Sequence, residues 1–263
     1  MSIKVSIITI VLNQSKTLKK TIDSVKNQNY DNIEYIIIDG GSTDGTIEVI
    51  KENNKYISHW ISEKDKGISD AFNKGLKFCT GELIGIINAD DWYEKDAIRN
   101  VVSQMKSGDV FYGNMQYWKK NTKTHLAHAN HTFLNKEMTI NHPTVFVKKK
   151  VYDLLGNFDL TYSCAMDYEL LLRFYTNKVK FVYIKKTITH MQGDGISDIN
   201  WLLGCREVKR AKDKYLGKKL FNWIWLQKQA LTILSFRFLE KIGLNMIVQF
   251  YRNNFATIKK EVV

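Results

Sequence analysis

Three short runs, VSIITIVL (5–12), IEYIIID (33–39) and ELIGIIN (82–88), are almost wholly apolar and β-branched, the pattern of strands buried on both faces. Between them the apolar period changes. Leu18, Ile22 and Val25 are spaced four and three apart, and Ile68, Phe72 and Leu76 four and four, so each segment presents one apolar stripe as a helix. This alternation predicts an α/β fold with a parallel sheet covered by helices on both faces. In such sheets ligands bind in the crevice at the carboxyl ends of the strands. Polar clusters fall at those ends: Thr9 to Asn13, Asp39 to Asp44, and Asn88 to Asp91.

From about residue 100 the pattern is mixed. DVFYGNMQYW and KVKFVYIKKTI read as strands, AMDYELLLRFYT (165–176) as a helix, and HMQGDGIS (190–197) as a loop with two glycines. Beyond residue 198 the reading is mostly helical. A single proline, Pro143, and the lack of repeats or low-complexity segments leave no obvious linker.

With 263 residues, 44% hydrophobic and 25% charged, the chain can bury a substantial core, and disorder is excluded as a global description. Cys79, Cys164 and Cys205 lie far apart with no C-x-x-C pair, which suggests neither a zinc site nor a disulfide framework and fits a reducing compartment. The N-terminal MSIKVSIITIVLNQSK reads as a first strand rather than a signal peptide, because no small-residue cleavage site follows its apolar stretch. A cytoplasmic location is therefore expected.

The net charge of +12 favours an anionic partner: nucleic acid, anionic lipid or a phosphorylated substrate. Its distribution is uneven. Residues 218 to 260 hold eight basic side chains and one acidic, Glu240. This segment also carries many aromatics, and its longest uncharged run, Ile242 to Tyr251, has ten residues, against roughly 20 for a membrane-spanning helix. Basic and aromatic residues mixed on helices fit an anionic membrane surface. Packing on the rest of the chain, or dimerisation, fits them equally.

Two stretches carry candidate chemistry. In IIIDGGSTDGT a strand meets two glycines and then a helix, either as a tight turn with Ser42 or Thr43 capping the helix, or as a close approach for a ligand, with Asp39 accepting from a nucleotide base. Neither phosphate-cradling glycine motif is present. In GIINADDWYEKDA a buried strand ends on Asn88, Asp90 and Asp91. These carboxylates either cap a helix beginning near Glu94 or help hold a hard divalent cation, Mg²⁺ or Mn²⁺, which takes one or two protein carboxylates plus phosphate oxygens.

Several ordered stretches together resemble the inverting family 2 glycosyltransferases of the GT-A fold, close to those that build bacterial surface polysaccharides. They are TIVLNQS, IIIDGGSTDGT, SEKDKGISDAFNKGLKFCTGELIGIINADDW, HPTVFVKK, LGNFD, AMDYELLLR and GDGIS, covering roughly residues 3 to 200. The resemblance implies that Thr9, Val11 and Asn13 line the nucleotide pocket and that Asp39 contacts a uracil-like base beside Gly41 and Ser42. It sets Asp65, Lys66 and Asn73 along the donor's diphosphate and sugar. It also puts Asn88-Ala89-Asp90 at the family's metal motif, with Asp90 as the cation ligand, and makes Asp167 the catalytic base.

The chain departs from the pattern at Ile10, Gly40, Asn88 and Met166, where the family often has a proline, a second aspartate, an aspartate and an acidic residue. On its residues alone, Asp167 could instead cap its helix, with Glu169 and Arg173 as a surface i,i+4 pair; as a base at a helix N-terminus its pKa would be lowered. His142 and His190 read as structural.

The expectation is an inverting hexosyl- or N-acetylhexosaminyltransferase using a UDP-sugar and acting on a glycan or lipid-linked acceptor at the inner face of the membrane. It would comprise a catalytic domain over 1–215, with a nucleotide half to about residue 100, and a basic tail over 216–263. A homodimer is compatible. A nucleotidyltransferase would need a glycine-rich basic loop after the first strand, which IVLNQSK lacks. A nucleic-acid-binding protein would explain the charge but not the carboxylates, and no binding motif for one appears. An inactive nucleotide-binding homologue is the remaining alternative.

Overall fold

The computed structural model describes residues 2–119, 121–192, 200–244, 246–248, 250–251 and 260–262. The chain begins β1 (Val5–Val11), α1 (Leu18–Lys26), β2 (Ile33–Asp39), α2 (Thr46–Glu52), β3 (His59–Ser62), α3 (Ile68–Phe78) and β4 (Leu83–Asn88). The order β3-β2-β1-β4 is parallel throughout. Its strands are buried from both sides, which accounts for their unbroken apolar runs. Val5, Ile7, Ile37 and Ile87 pack under α1 and α2 with Leu18, Ile22, Val25 and Ile50. Ile8, Ile36, Ile38 and Ile86 pack under α3 with Phe72 and Leu76.

The second half continues the same ten-stranded sheet with mixed direction. It comprises β5 (Asp91–Tyr93), α4 (Ala97–Val102), β6 (Val110–Lys119), β7 (Thr122–Ala127), β8 (Phe146–Lys148), α5 (Lys149–Leu155), α6 (Met166–Thr176) and β9 (Phe181–Gln192). β8 joins β4 antiparallel, while β9 runs parallel to β6 and antiparallel to β5. Two helices follow, α7 (Trp201–Leu216) and α8 (Lys219–Lys241). β10 (Lys260–Val262) then pairs antiparallel with β7 at the sheet edge, a strand within a segment that reads as helical in the sequence.

No helix among the described residues is long and apolar enough to cross a membrane. The glycines of GDGIS lie outside the described residues.

The register sets the site. Val11 pairs with Asp39, Asp39 with Ser62, and Ile10 with Asn88, so four parallel strands end side by side. The start of α6 is brought to the same end through α3: Ser69 in its first turn donates to the carbonyl of Tyr162 at 3.0 Å, four residues before α6.

Candidate active site

The wall of the crevice is built from two loops zipped together. The Asn13 N–H donates to Ser42 Oγ at 2.8 Å and the Thr43 N–H to Asn13 Oδ1 at 2.9 Å. The Gln14 N–H donates to Thr46 Oγ1 and the Ser15 N–H to Asp44 Oδ2. Asp44 is held down at about 2, first by the Thr46 hydroxyl and then by the Ser15 N–H. Asn13 and Gly41 both have positive φ, 52° and 88°, where asparagine and glycine are the tolerated residues.

Asp39 ends β2. Its carboxylate is fully buried and accepts from the N–H groups of Gly41 and Ser42 at 3.1 and 3.0 Å and from the hydroxyls of Ser42 and Ser62. A carboxylate buried at a strand end must find donors, and its own turn and Ser62 supply them. Thr9 is likewise inside, its hydroxyl 3.0 Å from that of Tyr35, and Val11 is buried. The sequence reading passed over Leu12, which is 56% exposed beside Gly40 and offers an apolar surface at the crevice mouth. Its only signal is an apolar residue continuing the strand run into the polar cluster.

Beyond β3, the carboxylates converge on Lys74, whose ammonium lies 2.8 Å from Glu63, 2.6 Å from Asp65 and 3.6 Å from Asp70. Burial pulls the Lys74 pKa down, but its hydrogen bonds to Asp65 and Glu63 win and leave it raised. Asp65 is therefore engaged by Lys74, and its Oδ2 occupies the space a Cβ on Gly40 would meet at 2.9 Å. Lys66 has an exposed side chain, while its N–H donates to Asp70. Asn73 is structural: its amide donates to the Phe158 carbonyl at 2.9 Å and accepts from the Phe158 N–H at 3.0 Å, tying α3 to the approach to α6.

At the end of β4 the chain turns without forming a helix cap. Asp91 opens β5, and α4 starts only at Ala97. Ala89 is core. Asp90 is exposed at the surface, yet the surrounding protein desolvates its carboxylate enough to raise its pKa. Asp91 is fully buried. It accepts from the Asn88 amide at 3.2 Å, while Oδ1 has no partner, and burial followed by the neighbouring Asp90 charge lifts its pKa well above the ordinary value.

A folded pKa above the unfolded one means that the native state binds the proton more tightly. Stability is therefore lost as pH rises from about 4 towards the folded pKa, by up to about 1.4 kcal/mol per pH unit. Asp91→Asn is expected to remove that slope, so its melting temperature relative to wild type should be higher at pH 8 than at pH 4. Parallel pH profiles of melting would show that Asp91 does not carry the proton.

Asp167 lies in the first turn of α6, and there burial overrides the helix. Desolvation raises its pKa to about 6 against hydrogen bonding to the Tyr168 N–H, with the charge of Glu207 adding to the rise. The sequence reading of a lowered pKa is corrected accordingly. Glu169 and Arg173 do pair, at 2.9 Å, but not on the surface: Glu169 is fully buried and also accepts from the Tyr215 hydroxyl. Arg173 holds the carbonyls of Leu155 and Asn157.

Glu207 on α7 was not foreseen. Nearly buried, it accepts from the N–H groups of Ser163, Cys164 and Ala165 at 2.9, 2.8 and 2.8 Å, the donors that lead into α6. Its sequence signal is spacing alone, since Glu207, Ala211 and Tyr215 recur every four residues on the inner stripe of α7.

His142 is buried, with its pKa pushed down to about 4 by desolvation. His190 bridges Glu94 and Trp118, both at 3.0 Å, and stacks on Trp92.

Among the described residues no three His, Cys, Asp or Glu side chains gather as a metal site. A lone exposed carboxylate with a raised pKa at Asp90 fits instead a cation shared with a ligand's phosphates, the usual habit of Mg²⁺ and Mn²⁺.

Comparison with known proteins agrees with this fold. Residues 6–171 match Glycosyl transferase family 2, and the chain belongs to that family. It is a glycosyltransferase with the GT-A architecture. It is 28% identical over 181 residues to the PGL/p-HBAD biosynthesis glycosyltransferase of Mycobacterium bovis, covering 65% of this chain and 70% of that one. It is also 32% identical over 116 residues to glycosyltransferase GlyA of Streptococcus pneumoniae, covering 42% and 16%.

Among solved structures it resembles S. aureus TarS 1-349 in complex with UDP-GlcNAc, with a TM-score of 0.63 at 17% identity over 83% of this chain and 72% of that one. It spans 43% of the longer TarS chain. The mannosyltransferase PcManGT of Pyrobaculum calidifontis, in complex with GDP-Man and Mn²⁺, matches with a TM-score of 0.67 at 13% identity over 98% of this chain and 82% of that one.

Proposed function

We propose that the protein is an inverting glycosyltransferase that moves a hexose or N-acetylhexosamine from a UDP-sugar to a glycan or lipid-linked acceptor in surface polysaccharide synthesis. What supports this reading is Asp167, a carboxylate raised to about 6 in the first turn of α6, whose approach is tied to the start of α3 by the Ser69–Tyr162 hydrogen bond. That value suits a general base working near neutrality. Asp167 takes the proton of the acceptor hydroxyl as its oxygen bonds to the anomeric carbon. The bond to the diphosphate breaks from the opposite face, and the nucleoside diphosphate leaves with the electron pair.

Asp90, aided by the Asn88 carbonyl, would hold Mg²⁺ or Mn²⁺. When bound, the cation neutralises charge growing on the leaving diphosphate. Lys66 is free to reach the same phosphates, Leu12 to receive the base, and the Asn13–Gly41–Ser42 wall to shape its pocket. The UDP-GlcNAc-bound TarS fragment supports a UDP donor.

The catalytic domain is read as residues 1–215, with its nucleotide half up to about residue 100. The tail, 216–263, is read as a peripheral contact with the inner face of an anionic membrane. Leu220, Phe221, Trp223, Ile224 and Phe238 are all more than half exposed on α8.

The test is nucleotide release by purified protein from UDP-, GDP- and dTDP-sugars, with and without Mn²⁺. Metal-stimulated hydrolysis of one UDP-sugar is expected, reduced about 100-fold in Asp90→Ala. No nucleotide binding and no hydrolysis from any donor would overturn the reading.

A further inference from the structure

Between α7, the start of α8 and the loop at 135–137 lies a cavity of about 580 Å³. Four lysines line it, Lys136, Lys212, Lys218 and Lys228, against a single carboxylate, Glu137. Phe221 and Trp225 form its apolar side.

The unusual member is Lys212. It is only 4% exposed, and its ammonium donates to the Lys136 carbonyl at 2.8 Å and lies over the Trp225 ring at 4.1 Å. Among the described residues no carboxylate forms an ion pair with it. Asp213, next in the chain, is taken by Lys209 and Asn222. A buried cation with donors to spare is costly unless an anion completes it. Burial lowers the Lys212 pKa to about 8, more than the charges of Glu137 and Asp213 raise it, so an arriving anion would stabilise its charged form.

The outer face of α8 beside the cavity carries Leu220, Phe221 and Ile224, each at least half exposed. The charge and the apolar face thus adjoin, as an amphiphile's head and chain would require.

The geometry points to a binding site for the phosphate headgroup of an anionic membrane lipid, with Lys212, Lys218 and Lys228 on the phosphate and Phe221 and Trp225 against the glycerol and upper chain. This deepens the membrane reading of 216–263 and rests on it, but not on sugar transfer, because binding needs no donor. The site makes membrane attachment depend on particular lysines rather than on net charge.

The experiment is co-sedimentation of the full chain with vesicles of phosphatidylcholine alone or mixed with phosphatidylglycerol. It compares wild type, Lys212→Met, Lys218→Glu/Lys228→Glu, and a control with the same charge change on exposed residues elsewhere, Lys51→Glu/Lys185→Glu. Wild type and control are expected to bind the anionic vesicles at least about tenfold better than the neutral ones, and both cavity variants to lose that preference.

Equal loss in the control, or full binding by the cavity variants, would overturn the headgroup site while leaving the membrane reading intact. Wild type that ignores anionic vesicles would overturn both. Inorganic phosphate that binds the protein and displaces it from vesicles supports the site. Phosphate binding at the lysines without any vesicle preference would identify a site for a free anion and overturn the lipid assignment.

Discussion

Asp167→Asn is expected to reduce turnover by about 10²- to 10⁴-fold while leaving nucleotide binding unchanged. Asparagine keeps the size and most hydrogen bonds of the side chain but cannot accept the acceptor's proton. In wild type, kcat/KM should fall with unit slope below pH about 6, where Asp167 protonates, and level off above it. The variant should lose this acid limb.

Stability should move the other way. A carboxylate whose folded pKa is raised loses stability as pH climbs from its unfolded value through about 6, so Asp167→Asn should melt no lower than wild type at pH 7.5. A variant that unfolds would therefore contradict the account as directly as one that remains active. Isothermal titration with UDP, melting curves and pH–rate profiles separate the three outcomes.

What the sequence made legible was whatever depends on periodicity. IEYIIID is a strand over the residues its pattern marks, and Leu18, Ile22 and Val25, with Phe72 and Leu76, face the sheet, because burial imposes its period on the residues it covers; Ile68, in the first turn of α3, is 40% exposed and stands outside that stripe. The strand at 260–262 was not legible, since three residues carry no period and take their conformation from pairing with β7. The hydrogen-bond partners of Asp39 were hidden for another reason. They are N–H groups two and three residues away and the Ser42 and Ser62 hydroxyls, which composition does not single out. The direction of the Asp167 shift was misread because the helix N-terminus is local and visible, whereas desolvation comes from elements distant in the chain. Glu207 lay hidden for the same reason, 42 to 44 residues after the N–H groups it holds.

That distance gives Glu207 consequences of its own. Three backbone N–H groups before α6 depend on one carboxylate, and removing it takes away their acceptor, at a buried N–H in the case of Ala165. Glu207→Ala is expected to cost about 3 kcal/mol, a fall in melting temperature of roughly 6–12 °C for a chain of this size.

Glu207→Gln separates support from electrostatics. The amide oxygen still accepts from the N–H groups, so most of the stability should remain, but the negative charge that helps raise the Asp167 pKa is gone. The acid limb of kcat/KM should then shift to lower pH, with turnover at pH 7.5 falling because a weaker base removes the acceptor's proton less readily. A purely structural residue would lower the melting temperature and leave the limb where it was. An unmoved limb in a well-folded Glu207→Gln would therefore confine Glu207 to holding α6, whereas a shifted one would make α7 part of the machinery that tunes the base.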